Sequence, residues 1–449
     1  MKKTMILLLI ALSQGGFAQE KVWTLEECIQ YAIGHNPKRT QQEAQNEIYK
    51  QNQREAIGGF LPSVNAGTSA SLNFGRSVDP ETNTYIGNIN TFVNDYQIYS
   101  SLTLFDGLAQ IYRTKMSKIN RLKGINELQE KKDKIAFEVM EVFFNVLYYK
   151  GTVELAQQQL EESRNNLKKF QRMEELGLKS IPDVTEIQAK EAEDRFTLTK
   201  QTNLYNLEII KLKGKMNFPT EETLQIADDA NTFSTGKATE NAPEIYGQAL
   251  SYLPTILASE KSVSATEMDY KRTKGSLFPR LSAEAGVYTQ FYRAMNGTEY
   301  VSFDQQLKNR QRSYVGLSLS VPIFNGFSRS SEVKRSKQRL IIAQSQHEET
   351  LRQVYSDIEQ AVTDVNGLAD EYVHAQKRTI AMQSAHQMNQ RKYEEGLIDV
   401  IELSTSSNRL LNARVEEIYT NLKYQLKYRL LQYYKGFPVI AGEDPQSQE

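Results

Sequence analysis

Two different hydrophobic periods alternate along this chain. Positions 63–75, 281–292 and 313–323 carry an apolar residue at every second place, opposite small polar residues and glycines, and 96–105 repeats this more loosely. A period of two over about ten residues predicts β-strands. It occurs both in half-buried strands of water-soluble sheets, the more common case for a single strand, and in strands of transmembrane barrels. The pattern therefore predicts four strands and leaves their surroundings open.

A helical period follows each pair of strands. From Gly107 to Gly177 there is no proline, and apolar residues form two interleaved rows with steps of seven; the second half of the chain repeats both rows. The rows contain Leu128, Ile135, Val142, Val139, Val146 and Val153, and later Leu351, Ile358, Val365, Val354, Ala361 and Leu368. This heptad pattern predicts long coiled-coil helices over 108–176 and 327–395. At 1.5 Å per residue each helix is roughly 100 Å long, which predicts a rod-like protein.

Glycine marks the predicted ends of the long helices. Gly177 and Gly396 directly follow the two segments, and glycine is the usual residue just beyond a helix C-terminus. Return helices are then predicted over 182–216 and 399–435. The segment Thr24-Leu25-Glu26-Glu27 predicts a capping box at the start of the first helix.

The same landmarks occur twice, in the same order. The motif FLP at 60–62 has its counterpart in LFP at 277–279, LFDG at 104–107 in IFNG at 323–326, and RMEELG at 172–177 in RKYEEG at 391–396. The spacing between counterparts is 217 to 219 residues. The sequence therefore predicts two tandem repeats, 19–218 and 244–436, joined by a connector at 219–243 and followed by a tail at 437–449.

The N-terminus has the pattern of a signal peptide. Lys2 and Lys3 precede the apolar run Met5–Leu12, and small residues lead to Ala18. This predicts a cleaved signal peptide over 1–18 and an extracytoplasmic protein. No stretch of 18 apolar residues occurs, so no transmembrane helix is predicted. The single Cys28 cannot form an intramolecular disulfide, so stability must come from packing or assembly.

Composition and motifs argue against several function classes. Lys and Arg number 54 against 55 Asp and Glu, so there is no basic excess for nucleic acid. Glu371 and His374 form one Glu-x-x-His motif, but a di-iron site needs a second one, and no other histidine has Glu three residues earlier. Four scattered histidines and one cysteine give no zinc spacing. We therefore expect no enzyme, no cofactor and no catalytic or metal site.

Four strands are too few to close a barrel. About eight is the smallest number that does, and lipid does not tolerate an open sheet edge. If the strands lie in a membrane, two, three or four chains must pool them into eight, twelve or sixteen strands. Coiled-coil helices would then continue the barrel as a hollow tube. Physical reasoning from the sequence leaves the number of chains open.

Several segments resemble the TolC family of outer-membrane efflux proteins. They are TLEECIQYAIGHNP at 24–37, GFLPSVNAG at 59–67, LTLFDG at 102–107, RMEELGLKSIPDV at 172–184, SLFPRLSAEAG at 276–286, LSVPIFNG at 319–326 and RKYEEGLIDVIELSTSSNRLLNA at 391–413. The resemblance implies a mainly α homotrimer with a twelve-stranded β-barrel in outer-membrane lipid and a twelve-helix tunnel in the periplasm. It implies the passive exit duct of a tripartite efflux or type I secretion system, with a periplasmic adaptor (membrane fusion protein) and an inner-membrane transporter as partners.

By the same resemblance, the two helical turns would form the periplasmic tip that docks the adaptor. The implied docking residues are Arg172, Glu175, Gly177, Leu178, Asp183, Arg391, Tyr393, Glu394, Gly396, Leu397, Asp399 and Glu402. The class of exported molecule stays open between drugs, metal ions and proteins. The alternative function is a soluble periplasmic coiled-coil adaptor or scaffold. An adaptor would need one helical hairpin and compact β-domains, whereas this chain predicts two hairpins.

Overall fold

A computed structural model describes residues 21–78, 83–227, 236–295 and 301–439. The predicted signal peptide lies outside the described residues, and so does the end of the predicted tail. The described chain forms two compact units. The first contains the described parts of Met1–Glu43, Glu127–Leu257 and Leu351–Glu449, and the second contains those of Ala44–Asn126 and Ala258–Thr350.

The described chain is mainly helical. Its helices are α1 (Leu25–His35), α2 (Pro37–Gly58), α3 (Ala109–Glu175), α4 (Ile181–Met216), α5 (Ala242–Ala249), α6 (Pro254–Gly275), α7 (Phe303–Asn309), α8 (Ser328–Glu394) and α9 (Val400–Tyr434). Its strands are β1 (Val22–Trp23), β2 (Ser63–Val78), β3 (Tyr85–Phe105), β4 (Gln225–Ile226), β5 (Arg280–Ala294) and β6 (Arg312–Ser320). None of the helices in these ranges has the length and apolar content needed to cross a membrane.

Two strands differ from their expected bounds. Strand β3 begins at Tyr85 rather than near 96, because it pairs with β2 along its first part, where the sequence alternation is poor. Strand β6 ends at Ser320 rather than near 323, since Pro322 has no N–H to continue the ladder. The short helix α7, between β5 and β6, was not predicted. The expected connector at 219–243 contains β4, and its residues 228–235 lie outside the described chain.

The four long strands form one antiparallel sheet in the second unit. Their order is β2-β3-β5-β6, so β2 and β6 are the edges of this sheet among the described residues. The apolar positions of the alternation share one face, since Leu281 pairs with Leu319 and Ala283 with Leu317. This face is open, and Leu317 is 71% exposed. The sheet therefore leaves both its edges and much of its apolar face uncovered in the single chain, while Phe303 of α7 packs on Phe291.

Two hydrophobic cores hold the first unit together. One joins α1, α3 and α4 around Cys28, Val146 and Leu212; the other joins α5, α8 and α9 around Ile358 and Tyr424. The heptad positions in this unit supply much of both cores. Buried among them are Ile135, Val139, Val142, Val146, Val354, Ile358, Ala361, Val365 and Leu368. The predicted capping box is confirmed, because Thr24 Oγ1 accepts from the Glu27 N–H and the Glu27 carboxylate accepts from the Thr24 N–H.

Candidate docking site at the two helical turns

The turn after α3 is closed by a Schellman motif. The Gly177 N–H donates to the Glu174 carbonyl oxygen at 2.8 Å, and the Leu178 N–H donates to the Met173 carbonyl oxygen at 2.8 Å. Gly177 has φ +71°, a left-handed conformation that costs a residue with a side chain about 1–2 kcal/mol. A Cβ atom here would meet no neighbour within 4 Å, so the backbone conformation alone selects glycine.

The turn after α8 has the same construction. The Gly396 N–H donates to the Tyr393 carbonyl oxygen at 3.0 Å, and the Leu397 N–H donates to the Lys392 carbonyl oxygen at 2.8 Å. Gly396 has φ +74°. The prediction that these two glycines end the long helices is therefore confirmed, and the two turns have matching backbones.

The return helices begin with different caps. Ser180 caps α4 in a capping box with Asp183, whose Oδ2 accepts from the Ser180 hydroxyl at 2.8 Å and the Ser180 N–H at 3.1 Å. These hydrogen bonds from Ser180, first the hydroxyl and then the N–H, hold the pKa of Asp183 below its ordinary value. In α9 the cap is Asp399, whose Oδ1 accepts from the Glu402 N–H at 2.8 Å. Asp183, Asp399 and Glu402 thus all lie in the first turns of the return helices.

A small aromatic core joins the two turns within the first unit. The rings of Phe170 and Tyr393 stack with centroids 5.5 Å apart and planes 12° apart. Lys179 Nζ lies 5.5 Å from the Phe170 centroid and 5.2 Å from that of Tyr393, within cation–π range. Ile187 and Val400 complete this core. Tyr393 therefore acts as a packing residue as well as a residue of the turn.

The Tyr393 hydroxyl is in an unfavourable position. Its Oη is buried and has no hydrogen-bond partner in the part of the chain that the structure describes. Burial, followed by the nearby charge of Asp183, raises the pKa of Tyr393 to about 12. The phenol is therefore neutral at physiological pH.

The charged side chains at the turns lie at the surface. Arg172 Nη1 and Glu175 Oε2 are 2.8 Å apart within α3, and Lys169 Nζ and Glu394 Oε1 are 3.7 Å apart between α3 and α8. Exposed ion pairs of this kind contribute little to stability. The Arg391 side chain is exposed and makes no hydrogen bond or ion pair to the described residues. These charges are accessible to a partner.

Each turn also exposes apolar side chains. We call this set the tip patch: Leu176, Leu178, Ile181, Leu397 and Ile401, each more than half exposed. Sequence reasoning had singled out Leu178 and Leu397 but missed Leu176, Ile181 and Ile401. Phe170 and Lys179 were missed as well, because nothing local to them indicates a contact with α8. An apolar patch with a charged rim is typical of a protein–protein contact.

The described ranges hold no group of His, Cys, Asp and Glu placed to bind a metal ion. Within the first unit, the buried His386 has Nδ1 3.2 Å from Ser406 Oγ and Nε2 3.4 Å from Glu162 Oε1. It is one histidine among hydroxyl and carboxylate neighbours between α3, α8 and α9. These contacts tie the three helices together near the turns.

Comparison with known proteins gives consistent matches. A family model described as Outer membrane efflux protein matches residues 245–435. Outer membrane protein TolC of Escherichia coli (strain K12) is 22% identical, over 94% of this chain and 85% of that protein. A solved structure of CusC superposes with a TM-score of 0.79 at 14% identity, covering 92% of each chain. The outer-membrane channel OprN superposes with a TM-score of 0.78 at 17% identity, covering 92% of this chain and 90% of that one.

This mainly helical chain with paired helical turns therefore has the same fold as CusC and the outer-membrane channel OprN. The family model matches residues 245–435 and TolC is similar along most of the chain, so the resemblance found in the sequence is confirmed. Its predicted location in the outer membrane is confirmed as well. The alternative of a soluble periplasmic adaptor or scaffold is not favoured by these matches.

Proposed function

We propose that this chain is the passive exit duct of a tripartite efflux or type I secretion system. Three copies would pool their strands into a twelve-stranded barrel in the outer membrane, and their long helices would form a tunnel in the periplasm. The energy for transport would come from an inner-membrane transporter, joined to the duct by a periplasmic adaptor. The proposal gives no residue of the chain a catalytic, cofactor-binding or metal-binding role.

The observation that carries this proposal is the four-stranded sheet, which has two unpaired edges and an exposed apolar face. Strands β2 and β6 end it on either side, and each of the four strands has exposed side chains on the apolar face, although Phe303 of α7 packs on Phe291 of β5. In water that face would expose Val64, Leu72, Ile98 and Leu317 together, which a soluble monomer does not tolerate. In lipid the face is favourable, but each unpaired edge costs several kcal/mol per backbone group. Both conditions are met if β6 of one copy pairs with β2 of the next.

The tandem repeats are supported by matched turns. Left-handed residues occur in pairs 219 positions apart: Gly107 with Gly326, Leu108 with Phe327, Gly177 with Gly396, and Asn217 with Gly436. Helices α3 and α8 have the same length of 67 residues and begin 219 positions apart. Two copies of one sequence repeat would give each protomer two similar sectors of the tunnel wall. A trimer would then present six nearly equivalent turns to its partner.

The turns are the part of the first unit best suited to docking. The Schellman hydrogen bonds use the backbone N–H and carbonyl groups of the turns. A partner would therefore contact mainly side chains. The tip patch supplies apolar contact, while Arg391, Glu175 and the Glu394 carboxylate supply charge around it. A helical hairpin of an adaptor, with apolar residues on one face, fits this chemistry.

Thiol crosslinking in cells tests the docking proposal. The one native cysteine, Cys28, is fully buried, and burial raises its pKa to about 12, so an introduced cysteine is the reactive thiol. Leu178→Cys and Leu397→Cys should each capture a periplasmic adaptor with a short photoactivated crosslinker. Leu207→Cys is the matched control, because Leu207 is an exposed leucine in the C-terminal half of α4, far along the helix from the turn. Capture of an adaptor by the control but not by the turns would refute the docking assignment.

A further inference from the structure

A cavity of about 410 Å³ lies in the second unit at one end of the sheet. It lies where β3 ends, where β5 and the helices α3 and α8 begin, and where α6 ends. Four arginines line it: Arg113, Arg272, Arg280 and Arg329. Such a concentration of guanidinium groups around one cavity needs an explanation, because each carries a fixed positive charge and five N–H donors.

Two of these arginines are compensated by acidic neighbours. Arg113 pairs with Glu55, and Arg272 Nη2 lies 2.7 Å from Asp269 Oδ1. The other two bond only to neutral oxygens in the described parts of the chain. Arg280 Nη2 donates to Thr103 Oγ1 at 2.8 Å, and Arg329 Nη1 donates to the Ser276 carbonyl oxygen at 2.6 Å. Their charges and most of their donors are therefore left for another anion.

The lining contains one carboxylate, and it is already engaged. Asp106 Oδ2 accepts the backbone N–H of Gln110 at 3.0 Å, in the first turn of α3. This is a helix-capping contact, in which the negative charge is held by the positive end of the helix dipole. The Asp106 carboxylate is therefore shared with α3 and does not fully compensate both Arg280 and Arg329.

The cavity opens on the polar face of the sheet. In the strand register Arg280 lies opposite Ser320, and Thr103 lies opposite Ser282, so these positions alternate with the apolar ones. The Arg280–Thr103 hydrogen bond shows that both side chains are on the same side. If the apolar face meets lipid, this face lines the lumen.

We propose that this cavity binds the anionic group of a solute passing along the lumen: a carboxylate, phosphate or sulfate. The inference rests on the proposed duct function and deepens it, because it gives the duct a preference for anionic cargo. Arginine can hold such groups with two parallel N–H bonds. In a trimer, three cavities form a ring of positive charge, the arrangement that favours anions in pores.

Single-channel recording of purified trimers tests the proposal, with inorganic sulfate as the probe. Bilayers of phosphatidylcholine alone are used, so that no anionic lipid headgroup is present. Sulfate should reduce the current through the wild type. In the double variant Arg280→Gln/Arg329→Gln the half-blocking concentration should rise about tenfold, as expected for losing charged hydrogen bonds to the anion. In the same double variant, the reversal potential in a KCl gradient should shift toward the equilibrium potential of K⁺.

Two variants separate this role from general effects of charge and folding. Arg121→Gln is the matched control, because Arg121 lies in the same unit, bonds to the neutral Gln53 side chain and does not line the cavity. It should leave the sulfate block unchanged, while Arg280→Lys should retain most of it. If the double variant assembles poorly, the single variants Arg280→Gln and Arg329→Gln should each shift the block in the same direction.

The possible failures are distinguishable. Wild-type conductance with an unchanged sulfate block in all cavity variants would overturn this inference and leave the duct function intact. An effect of the variants that appears only after anionic lipid is added would assign the cavity to a lipid headgroup, and would also overturn it. Absence of any conductance by wild-type trimers would refute the proposed function itself, and with it the inference.

Discussion

The ring of Phe170 in α3 stacks on the ring of Tyr393 in α8, with centroids 5.5 Å apart, although the two residues are 223 positions apart in the chain. This contact connects the two turns that the sequence indicates separately. Because Phe170 is only 2% exposed, the stack is a core contact rather than a surface one. The two turns therefore share one small core, and a change at one turn should also alter the stability of the other.

We expect Phe170→Ala to loosen both turns. Removing a buried phenylalanine leaves a cavity and costs about 3–5 kcal/mol. Hydrogen exchange of the backbone amides around Gly177 and Gly396 should become faster in both segments. Phe196→Ala in α4 is the control, since Phe196 is 68% exposed and its truncation should change stability by about 0.5 kcal/mol or less. Faster exchange at only one turn would contradict the coupling.

Tyr393→Phe should be neutral or stabilising. The Tyr393 hydroxyl is buried without a partner, so its removal relieves an unsatisfied group and keeps the ring stack; we expect a gain of up to about 1 kcal/mol. The folded-state pKa of about 12 is above the ordinary value of 10.0, so the wild type should lose stability as pH rises from about 10 to 12.

Thermal unfolding of the wild type and Tyr393→Phe across that pH range checks this prediction. The pH dependence assigned to Tyr393 should be missing from the variant. A clear loss of stability in Tyr393→Phe at neutral pH would show instead that the hydroxyl makes an important bond in the assembled protein.

We expect Leu317→Arg to prevent assembly in the membrane. Leu317 lies on the open apolar face of β6, and an arginine near the middle of a bilayer costs about 2–4 kcal/mol in each copy. Ser318→Arg is the matched control, because the neighbouring residue points to the polar face. The measurement is the fraction of detergent-extracted protein that migrates as a trimer. Equal trimer yields from both variants would argue that this face does not meet lipid.

Gly177→Pro and Gly396→Pro should abolish export while leaving trimers intact. Proline holds φ near −65° and has no N–H, so it cannot adopt the left-handed conformation or donate the bond to the carbonyl three residues earlier. The turn backbone must then rearrange, whereas the sheet in the second unit is not altered. Export is measured as substrate accumulation in cells, and assembly by migration of the extracted protein.

Gly214→Ala is the control for these glycine variants. Gly214 lies inside α4 with no atom within 4 Å of a Cβ position, so alanine should be tolerated and export retained. Full export by both proline variants would remove the turns from the docking assignment.

Much of the local structure follows from the sequence. Three features depend on interactions within a few residues and can therefore be predicted from the sequence. They are the heptad rows, the capping box at Thr24 and the helix ends at Gly177 and Gly396. The alternation in β5 and β6 likewise indicates strands with one apolar face. The duplicated motifs resemble the TolC family, and a model of outer membrane efflux proteins matches residues 245–435.

The contacts between distant segments were decided only by the tertiary structure. The extension of β3 back to Tyr85, the stack of Phe170 on Tyr393 and the grouping of Arg280 with Arg329 all join parts of the chain that no local period relates. The sequence by itself determined the long helices, their glycine ends and which strand faces are apolar, because those depend on near neighbours. Which faces meet, and which charges are left uncompensated, depends on the packing of remote residues, and that became visible only in three dimensions.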